Sequence, residues 1–97
     1  MKFVFQPGET KSNVLSSFYT IYQGIALPDD FPNMGTLTFQ AAGGKADADF
    51  VDTDHTLDSS AAPNYLEFSL VAPFVRITST VAAPAGSETE VPVVGII

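Results

Sequence analysis

The chain contains no cysteine and no tryptophan, and only four of its 97 residues are basic. Without cysteine it can form neither a disulfide nor a thiolate metal site, so its stability must come from packing or from association with other chains. Four bases against eleven acids give a net charge of −7, which excludes nucleic acid as a partner because a phosphate backbone is held mainly by Lys and Arg. No apolar run approaches the roughly 20 residues of a helical membrane span, and MKFVFQPGETKS lacks the apolar core and cleavage site of a signal peptide. The expectation is a soluble chain, made in the cytoplasm, with no membrane partner. Charge is scarce altogether: 15% of residues are charged and 45% are hydrophobic, where a solvated surface commonly carries about 25–35% charged residues. Much of this surface is expected to face other protein.

Helix windows are scarce as well. Pro7, Pro28, Pro32, Pro63, Pro73, Pro84 and Pro92 interrupt the chain so often that only residues 11 to 23 could hold a few turns. Even there SSFYTIYQG alternates aromatic and β-branched residues, which suits a strand. GTLTFQA places Leu37, Phe39 and Ala41 on one face and Thr36, Thr38 and Gln40 on the other, a period of two for a sheet with one wet side. ADADFV reads as a short strand anchoring Phe50. NYLEFSL sets Leu66, Phe68 and Leu70 against Tyr65, Glu67 and Ser69. FVRITST, after Ala72-Pro73, buries either Val75 and Ile77 or Phe74, with Arg76 expected on the face opposite Val75 and Ile77. ETEVPVVGII is a last strand, at a sheet edge or paired on one side only at Pro92, because proline has no N–H for a ladder. Six or so strands with no repeat and no linker predict one all-β domain over residues 1–97, a small antiparallel β-sandwich or jelly-roll-like barrel. MKFVFQPG, residues 1–8, is expected to be an extended N-terminal arm, cut off from the body by Pro7-Gly8.

Residues that could carry chemistry are few. Asp47, Asp49, Asp52, Asp54 and Asp58 lie near the single histidine, His55. An EF-hand loop starting at Asp47 fails because Val51 fills its fifth position and no glycine follows. Asp52, Asp54 and His55 are the better metal candidates, as residues of the turn itself, against the plainer reading that the aspartates form turns that keep a strand end wet. One histidine without cysteine or a second histidine provides no triad and a poor transition-metal site. Glu67 with one of the aspartates could be posed as a glycosidase pair, but a core this small leaves little room for a cleft. Tyr19, Tyr22 and Tyr65 could form a sugar-stacking platform, though strand aromatics more often serve cores and interfaces. Arg76 could anchor an interface through a bidentate pair or simply keep a sheet wet. The expectation is a non-enzymatic protein with no catalytic residue, no cofactor and no metal.

The segments IALPDDF, GTLTFQAAGG, DFVDTD, LEFSLVAPFVRITSTVAAP and EVPVVGI, in that order over residues 25–97, resemble a pattern of small β-rich virion proteins of tailed bacteriophages. Leu27, Pro28, Thr38, Phe39, Phe74, Arg76 and Ser79 carry the resemblance. The chain departs from it at GGKADADF, where the pattern has a longer Asp-Gly hairpin. The resemblance implies a structural component on the capsid surface, a decoration or cement protein whose partner is the major capsid protein. A homo-oligomer, a trimer at the local three-fold axes of the shell, is expected. Phe3, Val4, Phe5, Arg76, Val93 and Ile96 are the candidate interface residues. The alternative function is a small carbohydrate-binding or attachment module of a phage fibre or tail.

Overall fold

The computed structural model describes the backbone of residues 2–19 and 22–96, with side chains over 2–16 and 24–94. Among the described residues, eight strands form two antiparallel four-stranded sheets. β1 (Lys2–Phe5), β8 (Thr89–Ile96), β3 (Tyr22–Leu27) and β6 (Asn64–Phe68) make one sheet in the order β1-β8-β3-β6. β2 (Leu15–Tyr19), β7 (Val71–Ser79), β4 (Thr36–Ala42) and β5 (Val51–Asp58) make the other in the order β2-β7-β4-β5. The all-β sandwich read from the sequence is therefore present, with the strand order of a jelly roll.

Alternation decides what each sheet buries. Leu37 and Phe39 of β4 and Val75 and Ile77 of β7 point inward, meeting Ile25, Leu27, Phe68 and Val91 from the opposite sheet. The centre is an aromatic column: Phe39 lies between Phe3, edge-on with centroids 5.6 Å apart, and Phe68, tilted at 4.5 Å.

The N-terminal arm is a correction. Phe3 and Phe5 are both fully buried, and β1 pairs with β8 from Lys2↔Pro92 to Phe5↔Thr89. Pro7-Gly8 does not detach this segment; it turns the chain from one sheet to the other. Gly8 takes a left-handed φ of 79°, and the residues after it are stitched along β7 and its C-terminal extension: Gly8 N–H donates to Ala83 C=O, Ser79 N–H to Thr10 C=O, and Ser12 N–H to Ile77 C=O. The short apolar run FVF looked dispensable because its partner strand lies more than eighty residues away, and local pattern carries no trace of such a pairing.

Other differences follow from tertiary context. The single strand expected over SSFYTIYQG is two, β2 and β3, belonging to opposite sheets. The strand expected at ADADFV begins only at Val51, since Asp47–Asp49 form a 3-10 turn. Ala72 and Pro73 lie inside β7 rather than before it. The last strand is interior, and at Pro92 it pairs on one side only. β8 pairs with β1 through Pro92 and with β3 from Val93 onward, so the missing proline N–H falls where the second ladder stops.

Ser59 closes the end of the sandwich. Its hydroxyl accepts from the Met34 N–H at 2.8 Å and donates to the Gly35 C=O at 2.6 Å, and the residue is almost fully buried. Ser59→Ala strands a buried N–H, which costs about 1–3 kcal/mol. A thermal melt should show a midpoint lower by about 4–8 °C per kcal/mol for a domain of this size; an unchanged midpoint would mean that water reaches Met34.

Candidate functional site

The outer faces of the two sheets differ. On the β2-β7-β4-β5 sheet, Arg76 points away from Val75 and Ile77 as its alternation requires, yet its side chain is only 9% exposed. The loop between β4 and β5 folds down and covers it. The Phe50 ring lies 4.2 Å from the guanidinium carbon, Arg76 Nη1 donates to Asp47 Oδ1 at 2.6 Å, and Arg76 Nε donates to Gln40 Oε1 at 2.8 Å. Gln40 in turn donates to Asp52 Oδ1, and Lys11 Nζ also donates to Asp47 Oδ1. Lys45 sits over the Phe74 ring. Arg76 as an interface anchor is thus a correction: the side chain is buried beneath the loop, and its Nε and Nη1 donate within the chain, where they clamp that loop.

The acidic stretch is dispersed by the same geometry. Asp52 and Asp54 are in strand β5, not in a turn, because the chain has already turned at Asp47–Asp49. Pairing with β4 slips between Thr38↔Thr56 and Gln40↔Asp52, and the Thr53 hydroxyl fills the irregularity by donating to the Phe39 C=O at 2.8 Å. Asp58 caps the next turn, accepting from both the Ser60 N–H and its hydroxyl, which holds its carboxyl below the usual range. His55 is half-buried against the Phe68 ring. Among the described residues, no group of three His, Cys, Asp or Glu side chains is placed to hold a metal ion.

The Asp47 carboxyl is held below its ordinary value by the hydrogen bond from Arg76 first, then by that from Lys11 and by the charges of both. A lowered folded pKa contributes stability that is present above the unfolded aspartate value, about 3.9, and is lost as pH falls through the folded value. Asp47→Asn should therefore melt below the wild type near neutral pH, with the gap closing in acid. Melting curves from pH 7 to pH 2 check this; a gap independent of pH would mean that Asp47 does not clamp Arg76 as an ion.

The β1-β8-β3-β6 sheet has a bare outer face. Paired residues share a face, so Lys2 and Pro92, Val4 and Glu90, Val94 and Gly24, and Ala26 and Tyr65 lie together on it. Its middle is uncharged: Val94 is 59% and Tyr65 50% exposed, Pro92 is exposed, and Val4 and Ala26 are half-buried. Charge lies at its margins, in the Lys2–Glu90 ion pair at 2.6 Å and in Glu67. Tyr65 lies flat across β3 because Gly24 has no side chain; a Cβ there would come within 2.9 Å of the Tyr65 hydroxyl and 2.8 Å of the Leu66 carbonyl. Desolvation, then Glu67 beside it, raise the Tyr65 pKa, so the phenol stays protonated and neutral across the physiological range.

Of the residues expected to form an interface whose side chains are described, only Val4 belongs to this face. Phe3 and Phe5 fill the core, Val93 packs against the core from the inner side, and the side chain of Ile96 lies outside the described residues, as do those of Tyr19 and Tyr22. Val94 and Pro92 are the face residues that the sequence did not single out as an interface, whereas Tyr65 was weighed as a stacking, core or interface aromatic. The VPVV alternation, with Val91 and Val93 inward, contained the signal for both Pro92 and Val94.

The class defined by this architecture is an eight-stranded antiparallel jelly roll with one clamped and one bare outer face. No protein-family model, curated protein or solved structure matches the chain.

Proposed function

We propose that this is a structural protein of a tailed bacteriophage virion, a decoration or cement protein that binds the outer shell of the head through the bare face of the β1-β8-β3-β6 sheet, with the major capsid protein as partner. The observation that carries the reading is that face: an uncharged centre with a tyrosine held in place, and charge only at the margins, which is the anatomy of a protein interface. The sequence resemblance over residues 25–97 points to the same class. A cement protein acts by adding contacts across joints between shell subunits, and many copies turn modest contacts into large avidity; a homo-oligomer, with a trimer matching local three-fold axes, would multiply them again. Such a role requires a rigid body and a docking face, and no reaction.

Mixing the purified protein with emptied or expanded capsids, and separately with a glycan array, tests the reading. Sedimentation with capsids and no glycan signal is the expected result. Glycan binding without capsid binding would overturn it in favour of an attachment module using Tyr65.

A further inference from the structure

Pro92 has a consequence beyond the sheet order. Because the β3–β8 ladder stops at Val93, the first half of β8 separates from the chain that leaves β3, and a cleft of about 410 Å³ opens between them. Prolines of both flanking loops and Phe31 form its apolar wall, and Asp30, Glu88 and Glu90 its acidic wall. Among the described residues, Lys2 is the one base ion-paired to this wall, through Glu90, and Gln6 Nε2 donates to Glu88 Oε2; three carboxylates against one ammonium leave a surplus of two negative charges.

Two further features of the cleft are polar groups left without partners among the described residues. Four polar or charged residues are buried in the described structure: Ser12, Ser59, Arg76 and Thr89. The side chains of the first three are hydrogen-bonded. Thr89, 9% exposed and part of the cleft wall, has no hydrogen-bond partner for its hydroxyl among the described residues. A buried polar group without a partner is costly unless something satisfies it.

The second feature is main-chain. Val4 N–H donates to Asn13 Oδ1 and Val4 C=O accepts from Asn13 N–H, so both groups of Val4 face away from β8. In an antiparallel ladder its opposite residue, Glu90, must then turn its own N–H and C=O away from β1. They face the cleft side, where β3 no longer pairs.

We propose that this cleft receives an extended segment of a partner protein bearing a lysine or arginine. The segment adds to the open edge of β8 at Glu90 by main-chain hydrogen bonds. Its cation lies among Asp30, Glu88 and Glu90, the apolar stem of that side chain rests on Phe31 and the prolines, and the Thr89 hydroxyl gains a partner. A second copy of this chain is a poor source of such a segment: Lys2 is paired with Glu90, Lys11 and Arg76 with Asp47, and Lys45 lies over Phe74. The cation therefore comes from a different protein. The inference does not rest on shell binding, and its test uses the isolated protein.

The probe is a blocked peptide, Val-Thr-Arg-Thr-Val, titrated into the isotope-labelled protein with amide chemical shifts as the readout. The comparison is the same peptide with citrulline, the neutral isostere of arginine. The expected result is shifts centred on Glu88, Thr89, Glu90 and Phe31, with at least fivefold weaker binding of the citrulline peptide. Asp30→Asn and Glu88→Gln, both at exposed positions and checked by melting, should each weaken binding of the arginine peptide roughly three- to fivefold. Equal binding of the two peptides, shifts centred elsewhere, or no shifts at millimolar peptide would each overturn the proposal.

Discussion

Deleting Lys2 to Phe5 is expected to leave the chain unfolded. The segment is short, but it supplies two of the largest fully buried side chains, Phe3 and Phe5, and Phe3 stacks edge-on against Phe39 at the centre of the sandwich. Truncating one buried phenylalanine to alanine costs about 3–5 kcal/mol, and a domain has about 5–15 kcal/mol in total. Losing both, together with the ladder to β8, removes most or all of that reserve. Phe5→Ala alone should leave a folded protein with a sharply lowered melting point, while the deletion should give the circular dichroism and collapsed amide dispersion of a disordered chain. A deletion variant that melts cooperatively within a few degrees of the full chain would show β1 to be an appendage after all.

The second large effect concerns the bare face. Val94→Glu puts a charge at its centre, where docking would bury it without a partner, and burying an unpaired charge is far more costly than losing the apolar contact alone. Occupancy on emptied capsids should fall by about tenfold or more per contact, and avidity compounds the loss over many copies. Val94 is more than half exposed, so the isolated fold should keep its stability to within about 1 kcal/mol, the span of strand propensity. Val51→Glu is the control: Val51 is as exposed, 64%, but belongs to β5 in the other sheet. Loss of occupancy with Val51→Glu but not with Val94→Glu would move the docking surface to the clamped side.

Asp47 and Arg76 show how far a local pattern reaches. Alternation put Arg76 opposite Val75 and Ile77, and it is there. That an outward-facing arginine is buried depends on residues 43–50 folding back over the sheet, and GGKADADF, small and acidic residues around one lysine with a single aromatic at its end, does not reveal locally that Phe50 and Asp47 close on Arg76. Asp52 and Asp54 read as turn residues for the same reason: aspartate favours turns locally, but pairing with β4 and the Thr53 hydroxyl hold them in a strand.

The all-β class and the inward faces of β4 and β6 were legible in the sequence, and one-sided pairing at Pro92 was one of the two readings it left open for the last strand. Each follows from a rule acting within a few residues: period-two burial, frequent proline, or a missing N–H. Only the tertiary structure decided that FVF is a core strand and not an arm, that SSFYTIYQG is split between two sheets, and that Val94, Pro92 and Tyr65 make one uncharged face. These depend on which strands become neighbours. β1 meets β8 across nearly the whole chain, and such pairings are selected by the joint burial of both sheets, a free energy that no short window of sequence contains.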